Sequence, residues 1–137
     1  MIIEKSCGAV VFTKENECIK YVIIESRAGF FGFPKGHIEK NESEHETAKR
    51  EIFEETGLHV DFLENFRAED SYLFQNNGEE RMKHIVYFLA EFKGQCPVPQ
   101  ESELNSIRLL DYDTALSVFQ FESSKRVLSE AHTFLTS

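Results

Sequence analysis

Apolar positions along the chain follow two periods, and the changes between them divide it into elements. Cys7-Gly-Ala-Val-Val-Phe12 and Tyr21-Val-Ile-Ile24 are β-branched or aromatic runs separated by the polar stretch Thr13–Glu17, which predicts a hairpin. A Gly/Pro/aromatic segment follows, Ala28-Gly-Phe-Phe-Gly-Phe-Pro-Lys-Gly36, and its composition predicts a loop without regular structure. A helix comes next. Ser43-x-x-Glu46 reads as a capping box, Ala48 and Ile52 share a face, and Gly57 stands where a left-handed cap ends the helix. Three β-like stretches follow at Leu58–Leu63, around Ser71–Phe74 and at His84–Phe92, with Asn76-Asn-Gly78 as a turn before the last. Gln95–Pro99 breaks the pattern, and Ile107–Leu110 predicts a short strand. Asp113–Phe119 reads as helical, and Val127, Leu128, Ala131 and Leu135 recur at the spacing of a packing helix. Strands mixed with helices in this order predict an α+β fold, a sandwich with helices against a sheet, rather than an all-β barrel.

Composition narrows the class. The 137 residues suit one domain with one substantial core, and 13 Phe within 41% hydrophobic residues exclude a disordered chain. Fifteen Lys and Arg against 24 Asp and Glu give a net charge of −9, which argues against any extended nucleic-acid surface. A phosphorylated small ligand is still compatible, because a few cations can reverse the sign locally. The run Ile85–Ala90 is far short of the ~20 residues of a membrane span, and Glu4 and Lys5 interrupt any leader-like start. Cys7, Cys18 and Cys96 form no metal-binding spacing, which fits thiols in a reducing cytoplasm.

The chemistry concentrates between Gly36 and Leu58. Seven Glu stand there against Lys40, Lys49 and Arg50, a net of −4. On a helix turning about 100° per residue, Glu51, Glu54 and Glu55 crowd one arc, while Ala48 and Ile52 lie toward the packing side. Like charges at these spacings oppose helix formation, and Glu54 and Glu55 also sit at the negative end of the helix dipole. Such crowding predicts a cation between the carboxylates. Oxygen donors without His or Cys favour Mg²⁺, with Mn²⁺ as a substitute.

The spacing is also specific. Gly36, five residues, Glu42, seven residues and Arg50-Glu-Ile-Phe-Glu-Glu-Thr-Gly-Leu58 fill every fixed place of the Nudix box, so the chain resembles a Nudix hydrolase. The resemblance implies an α/β/α sandwich around a mixed sheet, residues 1–137 as a single domain, and residues 36–58 as a loop–helix–loop. It implies water attack on a phosphorus of a nucleoside diphosphate linked to a further group. It assigns Glu54 and Glu55 as metal ligands, Glu51 as a ligand or the general base, and Arg50 as the group that orients the carboxylates. Glu42 is then a supporting or additional ligand, Gly36 offers its carbonyl, and the proton goes to Glu51 or Glu55.

Residues outside the box are similar to one branch of that family, the asymmetrical diadenosine tetraphosphate hydrolases. The similarity lies in Phe31-Gly-Phe-Pro-Lys-Gly-His37, Cys7–Phe12, Lys83–Ala90 and the C-terminal Phe119-Gln-Phe121 with Lys125, His132 and Phe134-Leu135. Phe31 and Leu109-Leu110 depart from it, since that branch often carries Trp or another aromatic there. The resemblance implies that Lys35 and His37 contact a polyphosphate, with Lys83 and Arg27 as further phosphate candidates. Tyr87 and Phe121 either stack on a nucleobase or simply pack the core. The resemblance also implies that Glu103 completes the metal site, with Glu101 as its competitor and a solvated loop glutamate as the plain alternative. His45, His59, His84 and His132 have no metal spacing and are expected to be structural or exposed. The expectation is a cytoplasmic, Mg²⁺-dependent enzyme that takes a small nucleotide substrate and works as a monomer or weak dimer, without membrane partners. The rival expectations are action on RNA 5′ triphosphate ends or (deoxy)nucleoside triphosphates, and a non-catalytic nucleotide sensor.

Overall fold

A computed structural model describes residues 1–99 and 104–137. Its elements are β1 (Ile2–Glu15), β2 (Cys18–Ser26), β3 (Phe31–Gly32), β4 (Lys35–His37), α1 (Glu44–Thr56), β5 (Asp61–Phe62), β6 (Ala68–Asn76), β7 (Glu79–Glu91), β8 (Leu104–Leu110), α2 (Tyr112–Val118) and α3 (Glu122–Thr136). The strands form one mixed sheet built on a parallel β1–β7 pair, in which Ile2 to Phe12 lie beside Arg81 to Glu91. All other pairings are antiparallel.

Strand alternation sorts the apolar residues onto two faces. Cys7, Ala9 and Val11 of β1 and Val86, Phe88 and Ala90 of β7 pack with Ala48 and Ile52 of α1. Val10 and Phe12 of β1 and Ile85, Tyr87 and Leu89 of β7 pack with Ala115 of α2 and Val127, Leu128 and Ala131 of α3. A sheet between two helical layers is the expected α/β/α sandwich. Both central strands are buried on both faces, which explains their near-continuous apolar runs.

Local chemistry sets the limits of α1. The Ser43 hydroxyl accepts from the Glu46 N–H at 3.1 Å, and the Ser43 N–H donates back to the Glu46 carboxylate at 2.8 Å. Gly57 ends the helix at φ 74°, a conformation that costs a residue with a Cβ, and its N–H donates to the Phe53 carbonyl. The caps are those the sequence predicts.

The segment Ala28–Gly36 is a correction. It was expected to lack regular structure, yet it holds β3 and β4. β1 and β2 pair only through Phe12–Glu15 and Cys18–Tyr21. Beyond that they part, and β3 bonds to β2 at Ile24 and Glu25 while β4 bonds to β1 at Ser6–Gly8. The segment is extended because it fills a gap in the sheet, not because its residues favour strands. A second correction is Leu58–Leu63, where the strand shrinks to Asp61–Phe62 against the end of β7, with the Leu63 N–H donating to the Leu89 carbonyl at 2.9 Å. Among the described residues no helix is long and apolar enough to cross a membrane.

Candidate active site

The gap between β1 and β2 brings the last turn of α1 to β4. Glu55 is buried at 7% exposure, and its Oε2 accepts from the Lys35 N–H at 3.0 Å. Glu51 lies against Gly36 so closely that a Cβ there would stand 2.0 Å from the Glu51 Cδ. The first residue of the box is therefore glycine because a carboxylate occupies the space a side chain would need.

The guanidinium of Arg50 lies among the carboxylates. Its Nε and Nη2 donate to Glu42 at 2.6 and 3.0 Å, its Nη1 to Glu51 at 2.7 Å and Glu54 at 3.2 Å, and Nη2 also to the His37 carbonyl at 3.0 Å. Glu39 stands 3.5 Å away. The Arg50 hydrogen bond, with help from the Glu39 N–H, holds the Glu42 carboxyl down to about 2. The same carboxylates, Glu42 first, hold the guanidinium above its ordinary range. Among the described residues no three His, Cys, Asp or Glu side chains converge to hold a metal ion. The donor set nonetheless fits one: Glu42, Glu51, Glu54, Glu55 and the Gly36 carbonyl supply only hard oxygens, the chemistry of Mg²⁺ or Mn²⁺.

On the other face of the sheet a cavity of about 580 Å³ opens between β2, β6, β7 and the start of α3. Phe30, Phe31, Phe33, Tyr87 and Phe121 supply aromatic walls, and Lys35, Asp70, Tyr72 and Ser124 supply polar groups. Tyr87 is buried edge-on against Phe33, with ring centroids 5.4 Å apart, and burial followed by Asp70 raises its phenol above the usual range. Phe121 is half exposed and faces Phe30 at 5.4 Å. Burial and the neighbouring Lys83 lower the Lys35 ammonium below the usual lysine range, against the pull of Glu55, Glu51 and Asp70. Lys35 thus joins the two halves: its N–H holds a box carboxylate and its side chain lines the cavity.

The remaining candidates separate. His37 and Lys83 meet, with Lys83 Nζ 3.2 Å from His37 Nε2, so this nitrogen faces a neighbouring ammonium. Arg27 is exposed, outside the cavity wall, and pairs with no described carboxylate. Glu103 and Glu101 lie outside the described residues. His45 stacks on Phe88, His59 on Phe53 and His132 on Tyr112, while His84 bonds Ser71 and Glu69, which matches the structural roles expected of them.

Residue-by-residue reading missed Phe30, Asp70, Tyr72 and Gln120. Gln120 accepts from the Phe31 N–H at 3.1 Å and donates to the Gly29 carbonyl at 2.9 Å, which ties the Phe30 turn to the neighbour of Phe121. Its position between Phe119 and Phe121 was the available signal.

A family model described as the NUDIX domain matches residues 4–131. The chain is 33% identical to a Sus scrofa protein and 32% identical to a Rattus norvegicus protein, both named bis(5′-nucleosyl)-tetraphosphatase [asymmetrical]; each match covers 97% of this chain and 96% of the relative. Among solved structures it resembles a C. elegans Ap4A hydrolase in a binary complex, with a TM-score of 0.82 at 20% identity, covering 96% of this chain and 97% of the other. That last likeness speaks for the fold.

Proposed function

The chain belongs to the Nudix family, and from that premise we propose that it is a Mg²⁺-dependent hydrolase of dinucleoside polyphosphates that cuts diadenosine tetraphosphate into ATP and AMP. The observation that carries this reading is the double use of Lys35. One residue connects a cavity of nucleoside size and aromatic lining to the carboxylates of the box. A nucleobase enters beside Tyr87 and Phe121, and the polyphosphate then runs past Lys35 toward Lys83, His37 and the acidic end of α1. Two relatives of nearly the same length carry the name of that activity.

In the reaction a water oxygen bonds to phosphorus as the bridging P–O bond on the far side breaks. The proton of the water passes to Glu51 or Glu55, and the leaving phosphate departs as an anion. Bound Mg²⁺ supplies charge neutralisation and a lowered pKa for the attacking water. Glu42, Glu51, Glu54, Glu55 and the Gly36 carbonyl would hold it, with Glu103 as a further ligand. Arg50 keeps Glu42, Glu51 and Glu54 in one orientation. Lys35, Lys83 and His37 receive the phosphate oxygens, and Arg27 reaches a more distant one. We place residues 1–137 as one domain, working in the cytoplasm as a monomer or weak dimer.

The test is a panel of dinucleoside polyphosphates, (deoxy)nucleoside triphosphates and triphosphorylated RNA, with Mg²⁺ and product identification. ATP and AMP in equal amounts from diadenosine tetraphosphate are expected. Two ADP, or pyrophosphate released only from RNA or a nucleoside triphosphate, would overturn the reading. Tight nucleotide binding without turnover would make the protein a sensor.

A further inference from the structure

On the cavity face, residues of four strands align in rungs. Lys35, Gly8, Tyr87 and Ala68 form one; His37, Ser6, Ile85 and Asp70 form the next; Glu4, Lys83 and Tyr72 form the third. Ser6 therefore stands in the middle of the face that carries the phosphate-binding side chains. It is fully buried, and its hydroxyl has no hydrogen-bond partner among the described residues. A hydroxyl taken out of water without a new partner is unfavourable, and an alanine would fill the same place without that penalty.

What covers this hydroxyl is informative. Lys83 and His37 stand on the strands either side of β1, roughly 10 Å apart at the backbone, yet their side chains meet at 3.2 Å. The Lys83–His37 bond must therefore cross over β1 at the level of Glu4 and Ser6, where the Glu4 carboxylate also stands 3.7 Å from the same His37 nitrogen. Both groups in this bridge are ones that a phosphate chain would draw onto itself, since an anionic oxygen is a better partner for an ammonium than a ring nitrogen.

We propose that Ser6 is a further substrate-binding residue: its hydroxyl, roofed by the Lys83–His37 bridge in the free protein, donates to a non-bridging phosphate oxygen once the polyphosphate parts that bridge. This rests on the proposed reading of the site as a polyphosphate hydrolase. The unpaired hydroxyl of the free protein is then a donor held ready for the ligand, and no bond is made or broken in the step.

The test compares wild type with Ser6→Ala in three measurements: KM and kcat on diadenosine tetraphosphate, binding of inorganic tripolyphosphate in excess Mg²⁺ by calorimetry, and the thermal midpoint. Expected are about a tenfold rise in KM and in the tripolyphosphate Kd, kcat within about twofold, and a midpoint equal to or above wild type. Ser6→Cys keeps the volume while giving up the strong donor, and should reproduce the binding loss. Unchanged KM and tripolyphosphate affinity in both variants, with or without a lower midpoint, would overturn the proposal and leave Ser6 a structural residue. If wild type cuts no dinucleotide but the tripolyphosphate difference stands, the substrate reading falls and the role of Ser6 in phosphate binding survives.

Discussion

The two ends of α1 are built on opposite principles. At the N-terminal end every group favours the helix. Ser43 and Glu46 satisfy each other's backbone N–H, and Glu44 and Glu46 complement the positive end of the dipole. Glu44 also pairs with Lys5 at 2.6 Å and with both terminal nitrogens of Arg67. At the C-terminal end Glu54 and Glu55 oppose the dipole, and the last turn has no basic residue. Arg50 stands within ion-pair distance of Glu39, Glu42, Glu51 and Glu54. One guanidinium cannot neutralise four carboxylates. The excess negative charge is a standing cost to stability, and it lies at the proposed cation site. The helix is anchored at one end so that it can carry unfavourable charge at the other.

Removing a carboxylate from the costly end is the strongest way to break this contrast. Glu55→Gln keeps an oxygen to accept from the Lys35 N–H, so β4 stays in place, but it deletes a charge from the proposed metal site. Turnover with Mg²⁺ should fall by about a thousandfold while the thermal midpoint holds or rises. Steady-state rates beside a melting curve decide it, and a wild-type rate would remove Glu55 from the machinery. The opposite end should behave in reverse. Ser43→Ala removes the hydroxyl that accepts from Glu46, at a cost of about 1 kcal/mol in denaturant unfolding, with kcat/KM unchanged. A loss of turnover matching the loss of stability would mean the two ends are not separable.

How much of this could be read from the chain follows the same division between local and distant causes. The caps of α1 and the arc of carboxylates depend on residues three or four apart, so Ser43, Gly57 and the crowding of Glu51, Glu54 and Glu55 were legible. The two helical layers were legible as well, because alternation and helical spacing are local patterns. β3 and β4 were not, since only the parting of β1 and β2 makes Phe31–His37 extended. The second half of the site was legible only in Lys35, Tyr87 and Phe121. Asp70 and Tyr72 reach the cavity through strand register, Phe30 through the turn before β3, and Ser6 stands beside His37 only because β4 pairs with β1 there. The reach of Arg50 to Glu42 was not legible for a related reason: Arg50 lies next to Glu51 in sequence, but its contact with Glu42 depends on how the loop before α1 folds back.

The smallest expected effect concerns acid. Arg67 first, and then Lys5, hold the Glu44 carboxyl down from 4.5 to about 2. A depressed carboxyl pKa contributes stability above its unfolded value, and that contribution is lost as the pH falls through the folded one. Glu44 should therefore stabilise the protein fully above about pH 4.5 and lose this contribution between there and about pH 2. The pairs are partly solvated, so the amount is under about 1 kcal/mol once screening is counted. Glu44→Gln should be less stable than wild type at neutral pH by that amount, keep its turnover, and converge with wild type as the pH nears 2. Glu42 is held down over the same window, but by Arg50, so Glu42→Gln should flatten the acid limb in the same way and also lower turnover at neutral pH. Equal turnover in the two variants would erase the contrast, because it would place Arg50 and its carboxylates with the structural end of the helix.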